Sequence, residues 1–120
     1  MQSKGNAPTE AHKRWREAVR ELGCMSCGTH SQIEIHHPAG VTAKHMKVPI
    51  GHWWLVPLCH THHTRLTASV DDLCVITIGW PLVGRWDFEK LMFRRVMQRL
   101  LHHPDGPNLL EVDAIYDFRR

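Results

Sequence analysis

Two short turns that carry cysteine and histidine constrain the fold of this chain more than any other feature of its sequence. The first turn reads Cys-Met-Ser-Cys-Gly at residues 24–28, and the second reads Cys-His-Thr-His-His at residues 59–63. Thiolate and imidazole are the ligands that Zn2+ prefers, and four of them fill its tetrahedral shell in structural sites. We therefore predict a structural zinc ion that joins the turns through four side chains: Cys24, Cys27, Cys59 and His62.

A chain of this size would gain needed stability from such an ion. With 120 residues it is expected to form one domain with a modest hydrophobic core. The alternative interpretation is a redox-active Cys-x-x-Cys turn with an unrelated Cys59, but the βαβ pattern of thioredoxin-like proteins is missing around Cys24. Cys74 has no partner turn and is predicted to lie in the core.

The charge and hydropathy of the chain limit which partners and which cell compartment are to be expected. Lys and Arg number 15 and Asp and Glu 12, which gives a formal net charge of +3 and mildly favours an anionic partner. No apolar run approaches the roughly 18 residues of a membrane span, and the N-terminus lacks the apolar region of a signal peptide. We therefore expect no membrane partner and a cytoplasmic location, where cysteines stay reduced.

Apolar periodicity predicts helices and strands around the two turns. The first helix is expected from Glu10 to Leu22, with Thr9 as its N-cap and Gly23 at its end. The elements that follow are a strand at 33–37, a long loop at 38–52, a strand at 53–58 and a helix at 60–68. Antiparallel pairing of the two strands would give an α+β fold.

The C-terminal half is less regular. Leu73–Ile78 fits either a strand or a buried helix turn, and Gly79, Pro81 and Gly84 mark turns. Asp87 is the predicted N-cap of a helix that runs to about Leu101. Its predicted buried stripe consists of Phe88, Leu91, Met92, Val96 and Leu100. The predicted organisation is a flexible arm at 1–8, a single domain at 9–103 with its core at about 23–66, and a tail at 104–120 that packs on the domain or on a partner.

Three further histidines, His36, His37 and His63, adjoin the predicted zinc ligands. A metal-dependent phosphodiesterase needs a metal with open positions, a base beside the attacking water, and positive charge for the phosphate. Neighbours on a strand point to opposite sides, so one histidine of the doublet could bind a metal while the other orients water. His63 lies about 100° around the helix from His62 and could face the hairpin. Spacing alone also permits exchanged roles among His60, His62 and His63.

The motifs Ile-Glu-Ile-His-His at 33–37 and Leu-Cys-His-Thr-His-His at 58–63 resemble those of the HNH, or ββα-metal, endonucleases. The resemblance places His37 at the general-base histidine, His36 where an aspartate usually lies, and His63 at the terminal metal-binding histidine. It implies a zinc-stapled hairpin-and-helix core, flanked by an N-terminal and a C-terminal helix, that hydrolyses phosphodiester bonds with a divalent ion.

The histidine doublet and the Pro-Leu-Cys-x-x-His-His ending are more similar to a phage and prophage subgroup, the recombination-enhancement or Ref-like nucleases. This resemblance implies a Mg2+-supported DNA nuclease in a bacterial host cell, with cleavage of DNA held by RecA filaments. The sequence departs from the wider family in two places. The middle asparagine of the family aligns near Trp54, with His52 as our substitute, and His36 shifts the metal preference toward Zn2+ or another transition ion.

Together these features predict a metal-dependent DNA endonuclease of low sequence specificity. His36 and His63, with His52 as a further candidate, would hold a catalytic Mg2+, Mn2+ or Zn2+ ion, and His37 would activate water. Lys44 and Lys47 in the long loop would contact phosphates. Two alternatives stay open: a non-catalytic zinc-stabilised module that binds nucleic acid, and a redox or metal-storage protein.

Overall fold

The computed structural model describes residues 7–79 and 85–119 of the chain. Within them lie α1 (Glu10–Glu21), β1 (Ile33–His36), β2 (Lys44–His45), β3 (Val48–Pro49), β4 (Val56–Cys59), α2 (His60–Ala68), α3 (Val70–Ile78), α4 (Arg85–Arg99) and α5 (Leu109–Asp117). The strands form two antiparallel pairs, β1 with β4 and β2 with β3, so the predicted α+β class is confirmed. Most of the predicted arm, residues 1–6, and the turns predicted at Pro81 and Gly84 lie outside the described residues.

Helix α1 begins where its sequence predicts because Thr9 and His12 cap it reciprocally. The Thr9 hydroxyl accepts a hydrogen bond from the His12 backbone N–H at 3.1 Å, and His12 Nδ1 accepts one from the Thr9 N–H at 3.0 Å. The apolar stripe of α1 packs inward through Trp15 and Val19, which are fully buried. The Trp15 indole also donates to the carbonyl of Trp53 at 3.1 Å, which fixes α1 against the segment that leads into β4.

Strands β1 and β4 pair in the predicted antiparallel sense, and α2 begins directly after β4. The register places His36, the last residue of β1, opposite Val56. The sequence predicts the second strand at 53–58, whereas β4 starts later, because backbone N–H groups of residues 53 and 54 bond to the Ile50 carbonyl and form a turn there. Every residue of β4 is buried, so the hairpin lies in the core of the domain.

The loop at 38–52 contains a second, very short hairpin formed by β2 and β3. Its turn consists of Met46 and Lys47, which have positive φ angles of 53° and 66°. Two-residue hairpin turns usually place Asn, Asp or Gly at such positions, so the sequence gives no signal for this one. The predicted phosphate contacts Lys44 and Lys47 are both exposed on this hairpin.

Gly51 lets the end of the same loop pass close to its beginning. A Cβ atom added at Gly51 would lie 2.3 Å from the carbonyl oxygen of Val41 and 2.4 Å from that of Gly40, and backbone atoms cannot rotate away. We expect Gly51→Ala to lower the free energy of unfolding by about 3 kcal/mol, measured by urea denaturation. Gly40→Ala should cost only about 1 kcal/mol of left-handed strain, because nothing lies within 4 Å of its added Cβ. Equal urea midpoints for the two variants would contradict this close approach.

The apolar run at Leu73–Ile78 belongs to helix α3. Of the two structures that its sequence allows, the helix is therefore the one that forms. The Ser69 hydroxyl caps α3 by accepting from the Asp72 N–H at 3.4 Å, and Gly79 ends the helix with a φ of 93°. Cys74 is 1% exposed in this helix, which confirms its predicted core position.

Helix α4 spans Arg85–Arg99, so Asp87 lies in its first turn and the N-cap predicted there is wrong. A carboxylate in the first turn still interacts favourably with the helix dipole, so its sequence signal is similar to that of a cap. The predicted stripe is fully buried at Phe88, Met92 and Val96 and partly buried at Leu91 and Leu100. Glu89 is also buried, at 1% exposure, and the sequence analysis does not predict this.

Helix α5 starts at an Asn108 cap and packs inward through the fully buried Ile115. Lys90 of α4 donates to the backbone carbonyl of Tyr116 at 2.8 Å and to that of Phe118. These contacts hold the last helix on the domain. None of the helices within the described ranges is long and apolar enough to cross a membrane.

Candidate functional site

Cys24, Cys27, Cys59 and His62 come together with their ligand atoms all within 4.8 Å of one another. The Sγ atoms of Cys24 and Cys59 lie 3.7 Å and 3.2 Å from His62 Nδ1, and Cys27 Sγ lies 3.9 Å from Cys59 Sγ. Zinc bonds of about 2.3 Å to sulfur and about 2.0 Å to nitrogen require ligand separations of about 3.5–3.8 Å in a tetrahedron. The cluster could therefore hold a structural metal ion such as zinc, and its four members are the side chains that the sequence predicts to do so.

Backbone hydrogen bonds shape the first turn around the sulfur of Cys24. That sulfur accepts the N–H groups of Ser26 at 3.4 Å and of Cys27 at 3.5 Å. Burial alone would raise the pKa of the Cys24 thiol, but the backbone N–H groups directed at it, those of Cys59 and Cys27 foremost, hold the pKa below its ordinary value. The thiolate is the form that binds zinc, so these hydrogen bonds favour the form of Cys24 that can act as a zinc ligand.

A second cluster lies where the end of β1 meets α2 and α4. His36 Nδ1 is 3.2 Å from His63 Nε2, so the two imidazoles are in direct contact. The other nitrogen of each ring faces a carboxylate. His36 Nε2 lies 2.6 Å from Glu89 Oε2, and His63 Nδ1 lies 2.7 Å from Glu34 Oε1. The structure thus brings together the two residues predicted to hold the catalytic ion and adds two carboxylates to them.

The two carboxylates determine which nitrogens carry protons. An ionised carboxylate can only accept hydrogen bonds, so His36 Nε2 and His63 Nδ1 donate to Glu89 and Glu34. In neutral rings the two inner nitrogens, 3.2 Å apart, then direct lone pairs at each other, and a cation between them relieves the repulsion. Metal-binding histidines commonly donate their other N–H to a carboxylate in this manner. The pair therefore has the donor set and the outer carboxylates of a metal-binding histidine pair.

Glu89 reaches this cluster from α4, outside the core predicted at 23–66. Its Oε1 accepts from Arg85 Nε at 2.5 Å, while its Oε2 faces His36. A buried carboxylate needs such partners, since an unpaired charge in the interior is strongly destabilising. One sequence signal could have revealed Glu89: it lies three, four and seven residues before Met92, Phe93 and Val96 on the buried stripe, where an acidic residue is unusual.

Glu34 connects two histidines of α2. Its Oε2 lies 2.8 Å from His60 Nδ1, while its Oε1 faces His63. These hydrogen bonds, that of His60 first, hold the pKa of Glu34 below its ordinary value. The structure thereby separates the roles that spacing left exchangeable. His62 belongs to the cysteine cluster, whereas His60 and His63 hold Glu34.

His37 faces a cleft of about 230 Å3 rather than the His36–His63 pair. The cleft is lined by His52 as well, and by His12 and Arg16 of helix α1. Burial lowers the pKa of His37 below its ordinary value, and the positive charge of His52 and of other neighbours, Arg16 among them, lowers it further. The imidazole is therefore neutral near pH 7, the form that accepts a proton.

The two lysines predicted to contact phosphate lie differently with respect to this cleft. Lys44 lines a smaller adjoining cavity together with His12 and His52, so its ammonium group can extend the positive surface beside the cleft. Lys47 lies in the turn between β2 and β3 and lines neither cavity. Of the two, Lys44 is thus the better placed for a phosphate next to His37.

These features define a small α+β protein with a Cys3His cluster that could hold a metal ion and a histidine pair held by carboxylates. The sequence profile of one protein family, described as recombination enhancement, RecA-dependent nuclease, matches residues 8–104. The chain belongs to this family. The match contains both clusters and the cleft, and α5 lies beyond it. No solved structure matches the chain.

Proposed function

We propose that the protein is a metal-dependent DNA endonuclease of the HNH type, which acts with little sequence specificity on DNA held by RecA filaments in a bacterial cell. The observation that carries the proposal is the His36–His63 pair, with inner nitrogens 3.2 Å apart and outer nitrogens on Glu89 and Glu34. The hairpin of β1 and β4 followed directly by α2 supports the HNH assignment. Membership of a family of RecA-dependent nucleases supports the reaction and the partner.

His36 and His63 would hold the catalytic ion at their inner nitrogens, and the two carboxylates would keep the rings in place. These residues would hold a divalent ion that supplies Lewis-acid chemistry to the phosphate group. Imidazole ligands favour Zn2+ and other transition ions, so Zn2+ and Mn2+ are candidates beside Mg2+. His37 follows His36 in the chain and lines the neighbouring cleft, where it would take the proton of the attacking water.

The direct test measures cleavage of RecA-coated and bare DNA by zinc-loaded protein with Mg2+, Mn2+ or additional Zn2+. We expect ion-dependent cleavage that RecA stimulates, and a loss of at least about 100-fold in His63→Ala. His60→Ala is the matched control, because His60 shares Glu34 with His63 but does not contact His36. If the parent and His63→Ala are equally inert and both bind DNA, the protein is instead a zinc-stabilised nucleic-acid-binding module.

Glu89 should determine how tightly the histidine pair binds its ion. We expect Glu89→Gln to weaken Mn2+ binding by about 10–100-fold, because an amide accepts more weakly than a carboxylate and leaves Arg85 without its ion pair. Binding is measured by titrating Mn2+ into zinc-loaded protein and observing free Mn2+ by electron paramagnetic resonance. Asp87→Asn removes the same charge from an exposed position of the same helix and should leave the affinity unchanged. An equal affinity in Glu89→Gln and the parent would remove Glu89 from the site.

A further inference from the structure

The cleft beside His37 is formed partly by helix α1, which lies outside the hairpin-and-helix core. Two side chains of α1, His12 and Arg16, line it opposite the loop residue His52. None of the basic residues of α1 is among the site residues predicted from the sequence. The structure separates them, since Arg16 is partly buried in the cleft whereas Lys13 and Arg14 are exposed.

Arg16 has a hydrogen-bond donor that is buried and unused. Its Nε atom is shielded from solvent and has no hydrogen-bond partner among the described residues. A buried donor without an acceptor costs about 1–3 kcal/mol, and more when the group is charged, so such donors usually have a function. Arg16 lines the same cleft as His37, so the guanidinium lies on the wall of the cavity that the imidazole also lines.

His12 provides a second donor in a fixed orientation. Its Nδ1 accepts the N–H of Thr9 at 3.0 Å in the helix cap, so the proton of the neutral ring lies on Nε2. The ring stacks on His52 with centroids 4.7 Å apart and meets the edge of Trp53 at 4.4 Å. The helix cap and the aromatic contacts therefore hold one N–H donor of His12 in place on the wall of the cleft.

The charge of the cleft selects an anion over a cation. Its described lining contains one arginine and three histidines and no carboxylate: Pro8, His12, Arg16, His37, Val41, His52 and Leu55. Among the described residues, the cysteine cluster is the one group of three or more histidine, cysteine or acidic side chains whose ligand atoms lie close enough together to hold a metal ion, so the three histidines of the cleft do not form such a group. An arginine beside them also disfavours a bound cation by direct repulsion. Guanidinium and imidazole N–H groups are instead typical donors to phosphate oxygens.

We propose that this cleft binds a phosphate group of the DNA backbone, with the Arg16 guanidinium and His12 Nε2 donating to its oxygens. The assignment rests on the proposed function, because the phosphate would lie next to the imidazole of His37. It extends the site from the hairpin and α2 to helix α1. Arg16 would neutralise part of the phosphate charge, and the apolar side chains of Val41 and Leu55 would limit the water around it.

The test is a titration of the zinc-loaded full chain with inorganic phosphate, without a second divalent ion, observed by NMR of the arginine Nε–H and histidine ring resonances. We expect saturable shifts at Arg16 and His12 in the parent and at least a ten-fold weaker affinity in Arg16→Gln. Arg14→Gln is the matched control, because Arg14 lies on the same helix but pairs with Asp105 at the surface. Arg16→Lys, which keeps the charge but lacks Nε, should bind with intermediate affinity and covers the case that Arg16→Gln does not fold.

Binding of an oligonucleotide at several salt concentrations gives a second measurement. Loss of one phosphate contact in Arg16→Gln should reduce the slope of log affinity against log salt by about 1, and Arg14→Gln should leave it unchanged. Unchanged phosphate affinity in Arg16→Gln, or equal weakening in Arg14→Gln, overturns the inference even if the protein cleaves DNA. If phosphate binding depends on Arg16 but the protein cleaves no DNA, the phosphate site is supported and the proposed endonuclease activity is contradicted.

Discussion

Replacing His37 with alanine should lower the rate of DNA cleavage by about 100- to 10,000-fold, the range that a general base contributes. His37 belongs to neither the cysteine cluster nor the His36–His63 contact, and it lines the cleft where the substrate is proposed to bind. The variant should therefore keep its zinc and its affinity for DNA. The measurement is single-turnover cleavage of RecA-bound DNA at saturating divalent ion.

His102→Ala is the control for this variant, because His102 is an exposed histidine outside the cleft and outside both clusters. It should cleave at the parental rate. A His37→Ala variant that retains most of the parental rate would show that another group activates the water. A variant that loses zinc or unfolds would show that His37 is structural, and zinc content and circular dichroism distinguish these cases.

Replacing Cys59 with serine should abolish zinc binding and unfold most of the protein. Structural zinc contributes on the order of 10 kcal/mol to small zinc domains, which is as large as the whole stability of a typical domain. Cys59 ends β4 and contacts both Cys27 and His62, so its loss opens the cluster and releases the first turn from the hairpin. Zinc per chain, measured after gel filtration, and thermal unfolding by circular dichroism report the two effects.

Cys74→Ala provides the comparison for Cys59→Ser. Cys74 is equally buried but lies in α3, outside the zinc cluster. We expect this variant to keep one zinc ion per chain and to lose only the packing of a small buried side chain, about 1 kcal/mol. If Cys59→Ser kept a full zinc ion and the parental melting temperature, the four-ligand site would be wrong.

The geometry of the cysteines also bears on the redox alternative. All four cysteines are free, and the Sγ atom of Cys59 lies 3.9 Å from that of Cys27, so Cys59 adjoins the Cys-x-x-Cys turn instead of being unrelated to it. Three sulfurs and one imidazole nitrogen instead share the spacing of ligands around one ion. A dithiol exchange site has no need of His62 at that position, so the geometry favours the structural metal.

The sequence by itself determined the parts of this protein that depend on short-range spacing. The Cys-x-x-Cys and Cys-x-x-His turns define four zinc ligands because a tetrahedral ion accepts few other side chains, and the structure brings these four together. The Thr9 cap and the apolar stripe of α1 are likewise local signals, and the helix starts where they predict. Strand β1 pairs with β4 in the predicted antiparallel sense, and the register places Ile33 opposite Cys59, one of the four predicted ligands.

Only the tertiary structure decided which side chains surround the histidines that we propose to be catalytic. Glu89 contacts His36 across 53 positions of sequence, and Arg16 lines the same cleft as His37 because Trp15 packs α1 against the loop before β4. Such contacts depend on how the helices pack, and the shape of the whole core determines that packing. No fixed spacing of residues in the sequence therefore predicts them. The sequence therefore named the metal ligands and the histidine doublet, while the packing of α4 and α1 supplied the carboxylate and the guanidinium that surround them.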